Sequence, residues 1–157
     1  MFEHFSAKAI FCLRCAEEET RKLGESCYST HTMILGIIRA EDEIASALLQ
    51  KFGVELDICR THLKGILHKS DQTVETNLGE ILPFTLASKV AIESALAAAQ
   101  KFGNSLVEPR HLLLGILNVE LKRSMAGTES ATSKMFAAQA LDVLSMRSEL
   151  ERMMSIK

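Results

Sequence analysis

The 157-residue chain lacks tryptophan, has one tyrosine and two prolines, and is only 5% aromatic. Few aromatic residues argue against a β-sandwich or barrel, whose strands are enriched in them. Neither sign of charge is in clear excess, because 18 Lys and Arg stand against 20 Asp and Glu, for a formal charge of -2. Without a basic excess the chain has little with which to hold a phosphate backbone, so we expect no nucleic-acid partner.

Long hydrophobic runs and a dense cysteine pattern are missing as well. The apolar stretch 10–13 is far too short to cross a bilayer, and Glu3 stands where a signal peptide carries bases. All four cysteines lie in the first half and lack the density of a secreted disulfide scaffold. We therefore expect a soluble protein in a reducing compartment, with no membrane partner.

What the chain does contain is an internal repeat. Residues 5–38 and 84–117 match without a gap at a constant offset of 79. Two copies of a unit rich in Leu, Ala, Ile and Met predict an all-α, pseudo-symmetric body with a groove between its halves. We expect a single domain over 1–157, with repeat one at 1–69, a linker at 70–83 and repeat two at 84–157. Nothing in the repeat resembles catalytic machinery, and we expect no cofactor.

Each repeat predicts a long first helix. In repeat one Ser6 is a good N-cap and Gly24 a typical residue after the last turn. Repeat two has the same plan, from Thr85 to a stop at Gly103.

A short second helix, apolar around most of its circumference, is expected to lie buried at the centre of each half. We expect Thr30 to cap this helix in repeat one and Pro109 to lie at or near its first position in repeat two. Each second helix has a glycine in its middle, Gly36 or Gly115, at a cost of roughly 1 kcal/mol relative to Ala. The recurrence of this glycine predicts a helix crossing that admits no side chain.

The remaining segments predict a third helix capped by Asp42 and ended by Gly53, and a fourth from Glu55 or Leu56 to about His68. In repeat two, the polar composition of 119–133 predicts a mobile surface loop. A helical pattern then runs from 134 to about 154, with a break expected near Leu141 or Leu144.

Several stretches resemble the Clp-N repeats at the amino end of Hsp100/Clp ATPases. In repeat one they are Phe2-Glu3-His4-Phe5-Ser6, Ala16-Glu17-Glu18-Glu19 with Arg21-Lys22-Leu23-Gly24, and Leu35-Gly36-Ile37-Ile38. In repeat two, Pro83-Phe84-Thr85 and Val107-Glu108-Pro109-Arg110-His111-Leu112 resemble the second repeat of the ClpC type. The resemblance covers nearly the whole chain apart from 119–133 and the last residues.

The resemblance implies an eight-helix, pseudo-twofold domain of two four-helix repeats. It implies a module without catalysis, whose partners are a Clp ATPase, protease-core subunits, adaptors or substrates. The chain has no phosphate-binding loop of the G-x-x-x-x-G-K-[ST] kind. We expect a free-standing accessory protein similar to the ClpT type, in the chloroplast stroma if so and otherwise cytoplasmic. The alternative is the excised N-domain of a ClpC-type ATPase.

Two positions depart from the family pattern. ClpC-type second helices open with Thr-Glu-His, and in some bacterial members the glutamate helps to bind phosphoarginine. Here the matching triplets are Thr30-His31-Thr32 and Pro109-Arg110-His111, so both acids are absent. A helix start still favours anionic groups, and Thr30, His31, Pro109 and Arg110 are our candidate protein-binding residues.

A zinc- or redox-responsive function is the alternative from another class. Cys12 and Cys15, and likewise Cys59 and His62, each share one helical face and together make a four-ligand set. Against this, structural zinc pairs usually lie in tight turns, and a buried cysteine is ordinarily a small hydrophobe.

Overall fold

The computed structural model describes residues 2–67 and 82–155, and within them the chain forms eight α-helices and no β-strand, as predicted. The helices are α1 (Ala7–Lys22), α2 (Thr30–Arg39), α3 (Ala45–Lys51), α4 (Leu56–Leu67), α5 (Leu86–Lys101), α6 (Pro109–Met125), α7 (Ala131–Ala138) and α8 (Val143–Ser155). None of these helices is both long and apolar enough to span a membrane. His68 and nearly all of the predicted linker lie outside the described residues.

The first helix of each repeat begins and ends as predicted. Ser6 and Thr85 are the N-caps of α1 and α5, and each side-chain oxygen accepts from the backbone N–H three residues on, at 3.1 and 3.2 Å. Gly24 and Gly103 follow the last turns with φ of 71° and 72°, a left-handed conformation that glycine adopts without steric cost.

The second helices, α2 and α6, form the buried centre, and each crosses the first helix of its own repeat at the glycine. A Cβ on Gly36 would collide with the backbone carbonyl oxygen of Cys12, and a Cβ on Gly115 would collide with that of Ala91. The two colliding carbonyls are themselves equivalent at the offset of 79. The predicted close crossing is therefore confirmed in both repeats.

Two reciprocal backbone bridges join the halves. Phe5, before α1, pairs with Val107, before α6, and Phe84, before α5, pairs with Tyr28, before α2. In the first bridge the N–H of Ser6 donates to the carbonyl of Val107 at 3.0 Å. The two pairs are equivalent at the offset of 79. In each pair, the residue before the first helix of one repeat is bonded to the residue before the second helix of the other repeat, as a pseudo-twofold arrangement requires.

The prediction of a mobile loop at 119–133 is wrong for most of that segment, because only 126–130 lies between helices. Helix α6 continues to Met125, and α7 begins at Ala131, where the Ser130 side chain caps it. Val119 and Glu120 are buried in the continuing helix. The polar residues that suggested a loop lie partly on the outer face of α6, where they are compatible with a helix.

Smaller corrections concern the caps of α2 and α3. Ser29, and not Thr30, caps α2, because Ser29 and Thr32 form a reciprocal capping box. Helix α3 starts at Ala45, later than predicted from Asp42, although the Asp42 carboxylate accepts from the backbone N–H of Ala45 at 2.9 Å. The break between α7 and α8 falls at 139–142, as predicted.

Candidate docking site at the helix starts

The four candidate docking residues lie at the starts of α2 and α6, but they do not form one groove. Thr30 and His31 are buried, with 3% and 6% of their surfaces exposed. Pro109 is buried and Arg110 is half-buried. Thr30 and His31 line one cavity of about 270 Å³, whereas Arg110 lines a different cavity of about 380 Å³. In this arrangement Arg110 has the most exposed side chain of the four.

Thr30 takes part in a polar cluster that links the repeats. Its hydroxyl donates to Glu120 Oε1 at 3.0 Å and lies 2.7 Å from the hydroxyl of Thr132. Glu120, only 1% exposed, also accepts from Ser130 at 2.7 Å and from Arg123 at 3.1 Å. A buried carboxylate needs such donors because burial removes its hydration. Glu120 therefore ties α6 to the starts of α2 and α7.

His31 forms a close pair with a carboxylate of its own repeat. Its Nε2 lies 2.6 Å from Glu25 Oε1, and the two side chains are only 7% and 12% exposed. The imidazole is thus engaged beside the turn that precedes α2. The pair places His31 on the wall of the smaller cavity, with its ring nitrogen turned to Glu25.

His111, next to Arg110, has a different set of contacts. Its Nδ1 accepts from the backbone N–H of Glu108 at 2.8 Å, and its Nε2 lies 3.2 Å from Asn104 Oδ1. Burial, and then the charge of Arg110, lowers the pKa of His111 to about 4, so the ring is neutral at pH 7. Because Nδ1 is an acceptor, Nε2 carries the proton and donates to Asn104.

Arg110 faces the larger cavity without a carboxylate. Within residues 2–67 and 82–155, no Asp or Glu lies within ion-pair distance of its guanidinium. The cavity lies between the end of α5, the start of α3 and the end of α8, and Ile44, Phe102, Met153 and Met154 supply its apolar lining. A cation beside an apolar floor is suited to a ligand that is both acidic and apolar.

The sequence prediction missed Glu120 and Asn104. The polar composition of 119–133 predicts a loop that includes Glu120, and the one opposing signal is the helical spacing of Leu117 and Leu121 around it. Asn104 matches Glu25 at the offset of 79, so a comparison of where the repeats differ would have singled it out.

The structure does not gather the alternative Cys/His set. In the described part of the chain no three His, Cys, Asp or Glu side chains are placed to share a metal ion. Cys12, Cys15 and Cys59 are buried as free thiols. Burial raises the pKa of Cys12 to about 12, which disfavours the thiolate that metal binding requires. The Cys59 sulfur instead accepts from the amide of Gln139 at 3.3 Å.

The comparisons with known proteins agree on one family. The family model described as the Clp repeat (R) N-terminal domain matches residues 4–127. A ClpA-homologue ATP-binding subunit of the Clp protease from Guillardia theta is 29% identical over 98% of the chain and 17% of its own length. The chloroplastic chaperone ClpC2 of Oryza sativa subsp. japonica is 33% identical over 74% of the chain and 12% of its own length. The chain thus spans less than a fifth of these relatives.

Solved structures show the same fold. The N-terminal domain of the ClpD chaperone from Arabidopsis thaliana aligns with a TM-score of 0.74 at 19% identity, covering 98% of this chain and 96% of that one. The Hsp104 N-terminal domain from Candida albicans aligns with a TM-score of 0.71 at 15% identity, covering 99% and 94%.

Proposed function

Because the chain belongs to the Clp repeat N-terminal domain family, we propose that it is a non-catalytic accessory subunit of a Clp-type ATP-dependent protease or chaperone. It docks on the ATPase or the protease core, or receives adaptors and substrates for them. The observation that carries the proposal is the family match over two repeats, which the reciprocal bridges hold together as one body. A helical body whose two halves are joined in this way offers shaped surfaces to other proteins.

We further propose that the partner binds near the starts of α2 and α6, at Thr30, His31, Pro109 and Arg110. Arg110 makes the direct contact, because its side chain is the accessible one. Thr30, His31 and Pro109 shape the surface from beneath, Thr30 through Glu120 and His31 through Glu25. A substitution at one of these three residues would alter partner binding indirectly, by shifting the start of the helix.

Affinity capture from a native extract tests the proposal. The tagged wild type, Arg110→Ala and His31→Ala are each used as bait, and bound proteins are quantified by mass spectrometry. We expect Clp ATPase or protease-core subunits with the wild type and several-fold fewer with Arg110→Ala. Arg14→Ala is the matched control, because Arg14 is an exposed arginine on a different helix, α1, and this variant should capture as much as the wild type.

The composition of the captured set separates the two forms of the proposal. Protease-ring subunits in a fixed ratio to the bait indicate an accessory role in assembly. Varied proteins or a small adaptor, at lower and unequal amounts, indicate substrate recognition. Absence of every Clp component from the wild-type capture would contradict the proposal.

A second candidate is that the chain is the N-domain of a longer ATPase. The observation that favours it is the length of the curated relatives, of which the chain covers 17% and 12%. An immunoblot of the native extract with an antibody to this chain distinguishes the two. A band several times larger than the chain supports the ATPase, and a band at the size of the chain supports the free-standing subunit.

We also propose a chloroplast location, on the basis that several relatives are named as chloroplastic. Fractionation of intact organelles with immunodetection tests it. Recovery of the protein with the stroma agrees with this location, and recovery in the cytosolic fraction contradicts it.

A further inference from the structure

The two repeats differ in charge at one pair of equivalent positions. At the offset of 79, His31 matches Arg110 and Glu25 matches Asn104. In repeat one the basic side chain lies 2.6 Å from its carboxylate. In repeat two the basic position is occupied by Arg110, which is always charged, and the position of the carboxylate is occupied by the neutral amide of Asn104. Repeat two therefore has a cation whose internal counter-charge has been removed.

Asn104 does not substitute for the missing carboxylate. Its Oδ1 is the acceptor for the Nε2–H of His111, at 3.2 Å. His111 is in turn held by the backbone N–H of Glu108. The amide oxygen is thus engaged inside the turn, and the guanidinium of Arg110 is left for a group from outside.

Arg110 lies on the wall of a cavity with an apolar floor. Ile44, Phe102, Met153 and Met154 line it beside Arg110 and Asn104, in a volume of about 380 Å³, and none of its described lining residues is Asp or Glu. This volume is within the usual range for ligand pockets. Methionine side chains are flexible and polarizable, so this floor adapts to bulky apolar side chains of different shape.

We propose that this Arg110 cavity receives an acidic linear segment of a partner protein. In this segment a Glu or Asp side chain pairs with Arg110, and a neighbouring bulky apolar side chain packs on Phe102 and the two methionines. The inference rests on the proposed protein-binding function and names the chemistry of the partner. The guanidinium offers two parallel donors to one carboxylate, and partial burial reduces the screening of the pair by salt.

Labelled peptides and fluorescence anisotropy test the inference with the purified chain. The probe is a ten-residue, C-terminally amidated peptide with alternating Leu and Glu. Matched peptides carry Gln for Glu, Lys for Glu, or Ser for Leu. We expect the Leu/Glu peptide to bind at least tenfold more tightly than the Leu/Gln and Ser/Glu peptides, and the Lys peptide not to bind.

Variants then locate the contact. Arg110→Ala should weaken the Leu/Glu peptide roughly 10- to 100-fold, the usual worth of a hydrogen bond to a charged group, and should abolish the preference for Glu over Gln. Arg110→Lys should retain part of this preference. Met154→Gln should weaken the Leu/Glu peptide while keeping the preference. Arg14→Ala is the matched arginine control and should match the wild type.

Other outcomes overturn the inference. One is equal binding of the Glu and Gln peptides, and another is an unchanged preference for Glu in Arg110→Ala. A third is tighter, Arg110-dependent binding of a phosphopeptide or of a peptide with a free carboxyl terminus. If no peptide binds while Clp subunits are still captured, the inference fails and the proposed function stands. If Clp subunits are not captured, the proposed function fails whatever the peptides do.

Discussion

Repeat one buries Glu19 on its first helix, and repeat two buries Glu120 on its second. Each carboxylate is only 1% exposed. Glu19 accepts from Arg60 of α4, a helix of its own repeat, whereas Glu120 accepts from Thr30 of the other repeat. At the offset of 79, Ala98 matches Glu19, and Glu41, which is exposed, matches Glu120, so neither buried carboxylate is repeated in the other half. The buried carboxylate of repeat one stabilises its own half, and that of repeat two joins the halves.

The helix crossings, unlike the buried carboxylates, are the same in both repeats. Gly36 and Gly115 occupy equivalent positions, and each lies against the equivalent backbone carbonyl of the first helix, that of Cys12 or that of Ala91. Close backbone approach leaves no room for variation, since even one added carbon collides with main-chain atoms that cannot rotate away. The buried carboxylates, by contrast, have different partners in the two repeats. The comparison therefore separates a fixed packing scaffold from an adaptable set of polar contacts.

The strongest test of the fixed part is alanine at the crossing glycines. Gly36→Ala and Gly115→Ala should each lower the free energy of unfolding by about 3 kcal/mol, because a methyl group overpacks the crossing. Gly65→Ala is the matched control, since nothing lies within 4 Å of its added carbon in α4, and it should stabilise by up to about 1 kcal/mol. Urea unfolding followed by circular dichroism measures all three. A difference of more than about 2 kcal/mol between the two crossings would contradict their equivalence.

The adaptable part is tested by Glu120→Ala. It should cost about 2 kcal/mol, because it removes the acceptor of the Ser130 hydroxyl and of the half-buried Arg123 guanidinium, and leaves the buried hydroxyl of Thr30 with Thr132 alone. Glu41, which matches Glu120 at the same offset, is exposed, so Glu41→Ala should change stability by less than about 0.5 kcal/mol. Chemical denaturation of both variants checks the contrast. Equal costs would mean that Glu120 contributes nothing through its cross-repeat contacts.

A smaller effect is expected at the N-caps. Ser6→Ala and Thr85→Ala each remove the side-chain acceptor for one backbone N–H and should cost about 1 kcal/mol. Ser6 also donates to the Glu108 carboxylate across the repeats at 3.0 Å, whereas Thr85 donates to the neutral hydroxyl of Ser88 at 2.9 Å. A charged acceptor makes the stronger hydrogen bond, so the loss of Ser6 should be the larger. Thermal unfolding compares the two. A larger loss for Thr85→Ala would argue against a stabilising contact between Ser6 and Glu108.

The pH dependence of stability is tested by His111→Thr, which copies Thr32 of repeat one. Burial lowers the pKa of His111 from 6.5 to about 4. Between these values the unfolded chain takes up a proton that the folded chain does not, so the free energy of unfolding falls as pH drops from 6.5 to 4. Above 6.5 this contribution to stability is complete, and below 4 it declines no further.

Removal of the imidazole should make the decline between pH 6.5 and 4 shallower. Urea midpoints at pH 7 and pH 5 measure it. His4→Thr is the control, because the His4 side chain is exposed, and it should retain the wild-type dependence. The same decline in His111→Thr as in the wild type would show that the buried ring does not govern it.

Local signals account for what was predictable from the sequence. The limits of α1 and α5 follow from a cap and a glycine within the same segment, and Pro109 starts α6 for the same kind of reason. The extent of α6 was not predictable in this way. On the inner side of its last turns Glu120 meets Thr30 and Ser130. These partners are distant in sequence or across a turn.

The candidate site divides in the same manner. The position of Arg110 at a helix start could be read from the sequence. Its cavity could not, because Met153 and Ile44 reach it from separate helical regions. The replacement of Glu25 by Asn104 can be read from the offset of 79, but the contact that engages Asn104 with His111 follows from no spacing rule.

The reciprocal bridges have a consequence for folding during synthesis on the ribosome. When the ribosome has released only the first half, Phe5 and Tyr28 are already present, yet Val107 and Phe84, which complete their main-chain pairing, are still to be synthesised. Until the second half is synthesised, the first half has unpaired backbone groups at Phe5 and Tyr28 and exposes apolar surface. Nascent chains in such a state aggregate or bind chaperones. A first repeat alone would lack both pairing partners, so truncation between the repeats should yield an insoluble product.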